Sequence, residues 1–72
     1  MKTNTKNEYS NFYSDDGSRE AIVFKYSGLP AWYVDLYENE ELVESRKMQT
    51  KGILHNEMYA ENCAENWVMK IF

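Results

Sequence analysis

The chain has 72 residues, a formal net charge of −4, one cysteine and one histidine. So acidic a chain lacks the basic face that a general nucleic-acid binder needs to displace counterions. A lone cysteine and a lone histidine exclude an intramolecular disulfide and the paired ligands of a structural zinc site.

A domain of this size buries only about 60% of its unfolded surface, so its core is marginal and needs reinforcement. With disulfide and zinc set aside, association with another chain remains. No apolar run approaches the roughly 20 residues of a membrane span. The opening stretch MKTNTKNEYS has lysines but no apolar core behind them, so it is not expected to act as a signal peptide. A cytoplasmic protein is expected. Aromatic residues make up 15% of the chain, six of them tyrosines, whose rings pack while their hydroxyls stay wet, as interfaces require.

Residues 1–8 are polar and aperiodic and read as a flexible tail, leaving residues 9–72 as a single small α+β domain. Residues 9–14, YSNFYS, form a candidate short edge strand. Asp15 to Ser18, DDGS, is a turn signal, because Asp opens turns and Gly17 accepts positive φ. Residues 20–27, EAIVFKYS, are rich in β-branched and aromatic residues and predict a strand. Gly28 and Pro30 break it.

Residues 31–38, AWYVDLYE, alternate as a strand, with Trp32, Val34 and Leu36 on one side and Tyr33, Asp35 and Tyr37 on the other. Residues 41–48, ELVESRKM, predict a partner strand across a two-residue turn at Asn39 and Glu40. An unbroken ladder from that turn sets Leu36 opposite Val43, Tyr37 opposite Leu42 and Asp35 opposite Glu44. A bulge is the way to relieve the last, like-charge pair. After QTKGIL, Asn56 is a suitable N-cap, and a helix is expected from there to about Lys70.

Residues 60–67, AENCAENW, say nearly the same thing twice. Positions four apart stack along a helix, so the repeat draws an apolar stripe of Ala60, Cys63, Ala64, Trp67, Val68 and Ile71. The alanines permit close approach to a sheet. The expected fold is therefore α+β: a three- or four-stranded antiparallel meander with one C-terminal helix packed on the face of Trp32, Val34, Leu36 and Val43.

WYVDLYENEELVESRKM followed by HNEMYAENCAENWVMKIF, over residues 32–72, resembles small uncharacterised proteins of bacteriophages, particularly those of marine cyanobacteria. In that group a hairpin with an Asn-containing turn precedes a helix of this type. The resemblance implies a short accessory protein acting on host or phage machinery. It transfers no catalytic residue.

Candidate chemistry is sparse. Cys63 lies eight residues from His55, about 12 Å along a helix, beyond a direct hydrogen bond, so it reads as a small buried side chain. Asp35 and Glu44 could form a carboxylate pair for a metal-dependent reaction, with no further carboxylate placed to complete a cage. The DDG turn lacks the alternating ligands of a calcium loop. No enzyme activity, metal or other cofactor is expected. What stands out is a surplus of apolar groups. One helix covers one sheet face, yet the other carries Tyr33, Tyr37 and Leu42, with Arg46 expected beside them, and either Ile22, Phe24 and Tyr26 or Ala21 and Val23. That face is the expected site of association, first as a homodimer, unless Tyr9, Phe12 and Tyr13 fold over it. The alternative is an acidic face of Glu57, Glu61 and Glu65, with Glu38, Glu40 and Glu41 at the hairpin tip, imitating nucleic-acid phosphates toward a basic protein.

Overall fold

The computed structural model describes residues 5–71. Four strands, β1 (Lys6–Tyr13), β2 (Arg19–Tyr26), β3 (Trp32–Glu38) and β4 (Glu41–Lys47), form an antiparallel sheet in the order β1-β2-β3-β4. A small separate hairpin follows, β5 (Gln49–Thr50) and β6 (Ile53–Leu54), and then helix α1 (Glu57–Val68). This is the expected α+β meander with its C-terminal helix. The hairpin of β5 and β6 has no counterpart in the sequence reading, where QTKGIL served only as a connection.

The sheet begins earlier in the chain than expected. Residues 6–8 belong to β1, and Lys6 pairs with Tyr26 and Glu8 with Phe24. Polar side chains do not disqualify an edge strand whose backbone is held by its neighbour. Thr5 of the expected tail is also tied down, its carbonyl accepting from the Ser27 N–H at 2.8 Å, and residues 1–4 lie outside the described residues. The pairing of β1 shifts at Tyr9, between Glu8 and Ser10, so Tyr9 is an extra residue there. Its ring meets Trp32 edge-on, 4.8 Å between centroids.

Two of the three turns of the meander follow directly from their residues. Gly17 has φ 74°, and the Asp16 carboxylate accepts from the Ser18 N–H at 2.9 Å and from the Ser14 hydroxyl at 2.7 Å. Asn39 and Glu40 both have positive φ, 51° and 69°, the signature of the tight hairpin turn that matches strand twist.

The core lies between the helix and one face of the sheet. Ala21 and Val23 from β2, Val34 and Leu36 from β3, and Ala60, Ala64, Trp67 and Val68 from α1 are buried together. Ala60 and Ala64 are fully buried, so the small-residue line of the helix does meet the sheet. Phe12, Trp32 and Cys63 pack at the margin, and Met48, which no periodicity singled out, is buried just past β4.

Asn56 caps the helix, its Oδ1 accepting from the Tyr59 N–H at 3.0 Å. The helix stops at Val68 rather than Lys70. Lys70 turns to φ 61°, its N–H donates to the Trp67 carbonyl at 3.1 Å, and the Ile71 N–H donates to the Asn66 carbonyl at 3.0 Å. That pair of bonds is a Schellman closure built on a lysine where glycine is usual. Ile71, expected on the apolar stripe, is therefore carried past the helix and is exposed.

β4 departs most from expectation. Tyr37 does face Leu42, but Leu36 then faces Glu44, with the register shift between them leaving Val43 as the extra residue. Asp35 faces Ser45, so the like-charge pair is relieved by a bulge. Val43 does not join the helix-packed core and is 54% exposed. The same shift sets Arg46 opposite Val34 on the helix side, not beside Tyr33 and Tyr37.

Candidate functional site: the open face of the sheet

Period-2 alternation sends every second residue of the sheet away from the helix. On β2 these are Glu20, Ile22, Phe24 and Tyr26; on β3 they are Tyr33, Asp35 and Tyr37, in cross-strand register with Phe24, Ile22 and Glu20 respectively. The open ambiguity of β2 is thus resolved: Ile22, Phe24 and Tyr26 are on the open face, Ala21 and Val23 under the helix.

Three rings interlock at the centre. Phe24 stacks on Tyr33 at 5.4 Å, and Tyr26 meets both edge-on, at 5.6 Å from Phe24 and 5.5 Å from Tyr33. These are favourable quadrupole arrangements. Beside the rings lies a charge that the sequence reading assigned to a possible acid–base pair. Asp35 is only 5% exposed, on a sheet face over which the described residues place no second layer of secondary structure. Lys6 reaches it from the edge strand, Nζ donating to Oδ2 at 3.0 Å while lying 4.1 Å from the Phe24 ring centroid. Burial lowers the Lys6 pKa, but the hydrogen bond and charge of Asp35 outweigh it, and the net effect is upward. Lys6 thus stays an ammonium and neutralises Asp35.

The face shields itself in part. Phe24 is 2% exposed, and Ile22, Tyr26, Tyr33 and Tyr37 are half-buried. Leu42, over half exposed, lies opposite Tyr37, and Tyr13 is exposed opposite Glu20. Of the expected interface residues, then, Tyr33, Tyr37 and Leu42 share this surface and Arg46 does not. The N-terminal aromatics do not fold over it, because their segment is spent as β1. Tyr9 and Phe12 turn to the helix side.

Arg46 pairs within its own strand, Nε donating to Glu44 Oε2 at 2.9 Å. Its guanidinium also acts on Cys63, whose thiol is nevertheless pushed up by burial and so stays protonated at neutral pH. His55 is engaged elsewhere, stacked on Tyr59 at 3.8 Å and 2.8 Å from the Thr50 hydroxyl. No nucleophile–base pair forms between Cys63 and His55. Asp35 and Glu44 lie on opposite faces of the sheet. Among the described residues no group of three or more His, Cys, Asp or Glu side chains is placed to hold a metal ion.

The acidic array is less uniform than a row along a helix suggests. Glu61 accepts from the Ser10 hydroxyl at 3.0 Å, Glu57 and Glu61 are half-buried, and Glu65 is exposed. At the hairpin tip Glu38 is tied to Arg19 at 3.1 Å, leaving Glu40 and Glu41 exposed. Among the described residues no helix is long and apolar enough to cross a membrane.

No protein-family model, curated protein or solved structure matches this chain. The phage resemblance therefore rests on residues 32–72 of the sequence alone.

Proposed function

We propose that this chain is a small non-catalytic binding module that holds a protein partner on the open face of its sheet, in the manner of an accessory protein acting on host or phage machinery. The observation that supports this most directly is the ring cluster of Phe24, Tyr26 and Tyr33, continued by Tyr37 and the exposed Leu42, on a face that no helix covers. Tyrosines offer a partner large apolar contact and a hydroxyl at low entropic cost, and they are enriched at interface centres.

The homodimer expected through this face now has less reason to form there. A dimer there would be driven by an excess of exposed apolar surface. The rings cover one another and Asp35 is neutralised within the chain, so the face is tolerable without a second copy.

The test is capture of partners from host lysate by the wild-type chain, by Tyr37→Glu/Leu42→Glu, and by Glu57→Lys/Glu65→Lys. Glu61 is left in place because it accepts the Ser10 hydrogen bond. Loss of capture in the first variant alone is expected. Loss in the second alone favours the acidic-mimic reading instead. Equal capture by all three overturns both.

A further inference from the structure

We propose that the chain self-associates through the free edge of β4, pairing antiparallel with β4 of a second copy about a twofold axis at Ser45. This is independent of the reading of the open face.

The Met48 N–H donates to the Trp32 carbonyl at 2.8 Å, which continues the ladder of β3 and β4 one step past Lys47. Antiparallel ladders alternate, so Glu44 and Arg46 spend their backbone groups on β3. Ser45 and Lys47 then direct theirs outward, and among the described residues no strand lies beyond β4 to receive them.

Proteins usually blunt such an edge with bulges and charges. Both edges here carry a bulge, but differently. In β1 it falls at Tyr9, in the middle of the strand. In β4 it falls at Val43 and leaves Glu44–Lys47 regular. The charges of β4 are also ordered rather than uniform: Glu41 and Glu44 first, then Arg46 and Lys47. An antiparallel second copy sets the acidic half of one strand against the basic half of the other.

That order selects a register. Outward-directed residues must face outward-directed residues. With Ser45 opposite Ser45 of the second copy, Glu44 of each chain faces Arg46 of the other, twice, at the positions where side chains approach most closely, about 4.5 Å between Cα atoms. Shifting the second copy to the next permitted register in one direction sets Glu44 against Glu44. The other direction sets Arg46 against Arg46. Both juxtapose like charges, so only the central register is favourable. Glu44 and Arg46 already bond to each other along the strand at 2.9 Å, and the dimer exchanges that contact for the same contact between chains. The axis relating antiparallel neighbours runs perpendicular to the sheet. Both helices thus lie on one side, and the two open faces join on the other into one surface twice as wide.

The test is a charge exchange read by sedimentation velocity and light scattering. The wild-type chain, 8.6 kDa, is expected to show a concentration-dependent doubling of mass. Arg46→Glu alone and Glu44→Arg alone each replace two attractions by two repulsions and should weaken the dimer roughly tenfold to thirtyfold. Mixed in equal amounts, the two variants restore both pairs and should form a one-to-one heterodimer, which also shows that each is folded. Ser45→Cys in a Cys63→Ala background should cross-link across the axis under mild oxidation, while Lys47→Cys in the same background should not. A wild-type mass that stays monomeric at high micromolar concentration overturns the proposal. So does a dimer indifferent to the charge exchange, or one lost in Tyr37→Glu/Leu42→Glu, which would place the contact on the open face.

Discussion

The Trp67 indole N–H donates to the Tyr37 carbonyl at 3.0 Å, tying the last turn of the helix to the third strand of the sheet. Around it Arg19 closes the joint. Its guanidinium lies 3.9 Å from the Trp67 ring centroid, donates to the Trp67 carbonyl at 3.1 Å, and pairs with Glu38. A cation at the helix C-terminus suits the carbonyls exposed there. One residue of the AENW repeat thus fills the core, bonds the sheet and anchors an arginine.

Trp67→Ala should therefore cost about 3–5 kcal/mol, close to the whole stability of so small a domain. The expected result is loss of a cooperative thermal transition followed by circular dichroism. Trp67→Phe keeps most of the ring and loses the N–H, so it should melt cooperatively at a lower temperature. A Trp67→Ala chain that melts near the wild-type temperature refutes this account of the core.

The hairpin turn is strained at one residue. Asn tolerates the left-handed region, but Glu40 at φ 69° does so at a cost of about 1 kcal/mol. Glu40→Gly should raise the melting temperature by several degrees. Gly17→Ala is the converse. A Cβ there meets no atom within 4 Å, yet φ 74° remains, so the variant should lose stability through backbone strain alone. Thermal melts of the two variants with opposite signs are the expected outcome.

Much of this was legible because strands and helix follow simple periods. Alternation in residues 31–38, the Asn39 turn, the Asn56 cap and the four-residue spacing of Ala60, Ala64 and Trp67 each name their structural role. What alternation does not record is its own phase after a bulge. One extra residue at Val43 carries Glu44 and Arg46 to the helix side, and a sequence reading that continues the period across it places them wrongly. The burial of Met48 was hidden for a related reason, since it depends on where the chain leaves the sheet. Nor does the ion pair of Lys6 and Asp35, separated by 29 positions, leave a mark in any local pattern.

The turn between β1 and β2 makes stability depend on acid. Lys70 bonds the Asp16 carboxylate at 2.6 Å, the Ser18 N–H and the Ser14 and Ser18 hydroxyls add to it, and together they hold its pKa well below the usual carboxylate range. A depressed carboxylate contributes stability that is full above its unfolded pKa, about 3.9, and is lost as pH falls from there toward the folded value. Asp16→Asn lacks that contribution at every pH. The stability difference between wild type and variant should therefore narrow from about pH 5 downward. Denaturant unfolding at several pH values checks this, and a gap that stays constant down to about pH 2 rules it out.

The buried carboxylate of the open face makes the last prediction, and it turns on asymmetry. Asp35 is almost wholly buried, whereas the Lys6 side chain is 38% exposed. Lys6→Met strands a charge that cannot reach water, and should cost about 2–3 kcal/mol, the low side for a broken buried pair because solvent reaches its outer end. Asp35→Leu strands only a lysine that can swing into solvent, and should cost less. The double variant Lys6→Met/Asp35→Leu removes both charges and replaces them with apolar groups, so it should recover much of what Lys6→Met loses. Urea unfolding of the three variants at neutral pH measures these losses. Equal losses for the two single variants, with no recovery in the double, would show that the pair contributes nothing and that Asp35 is held by its neighbours alone.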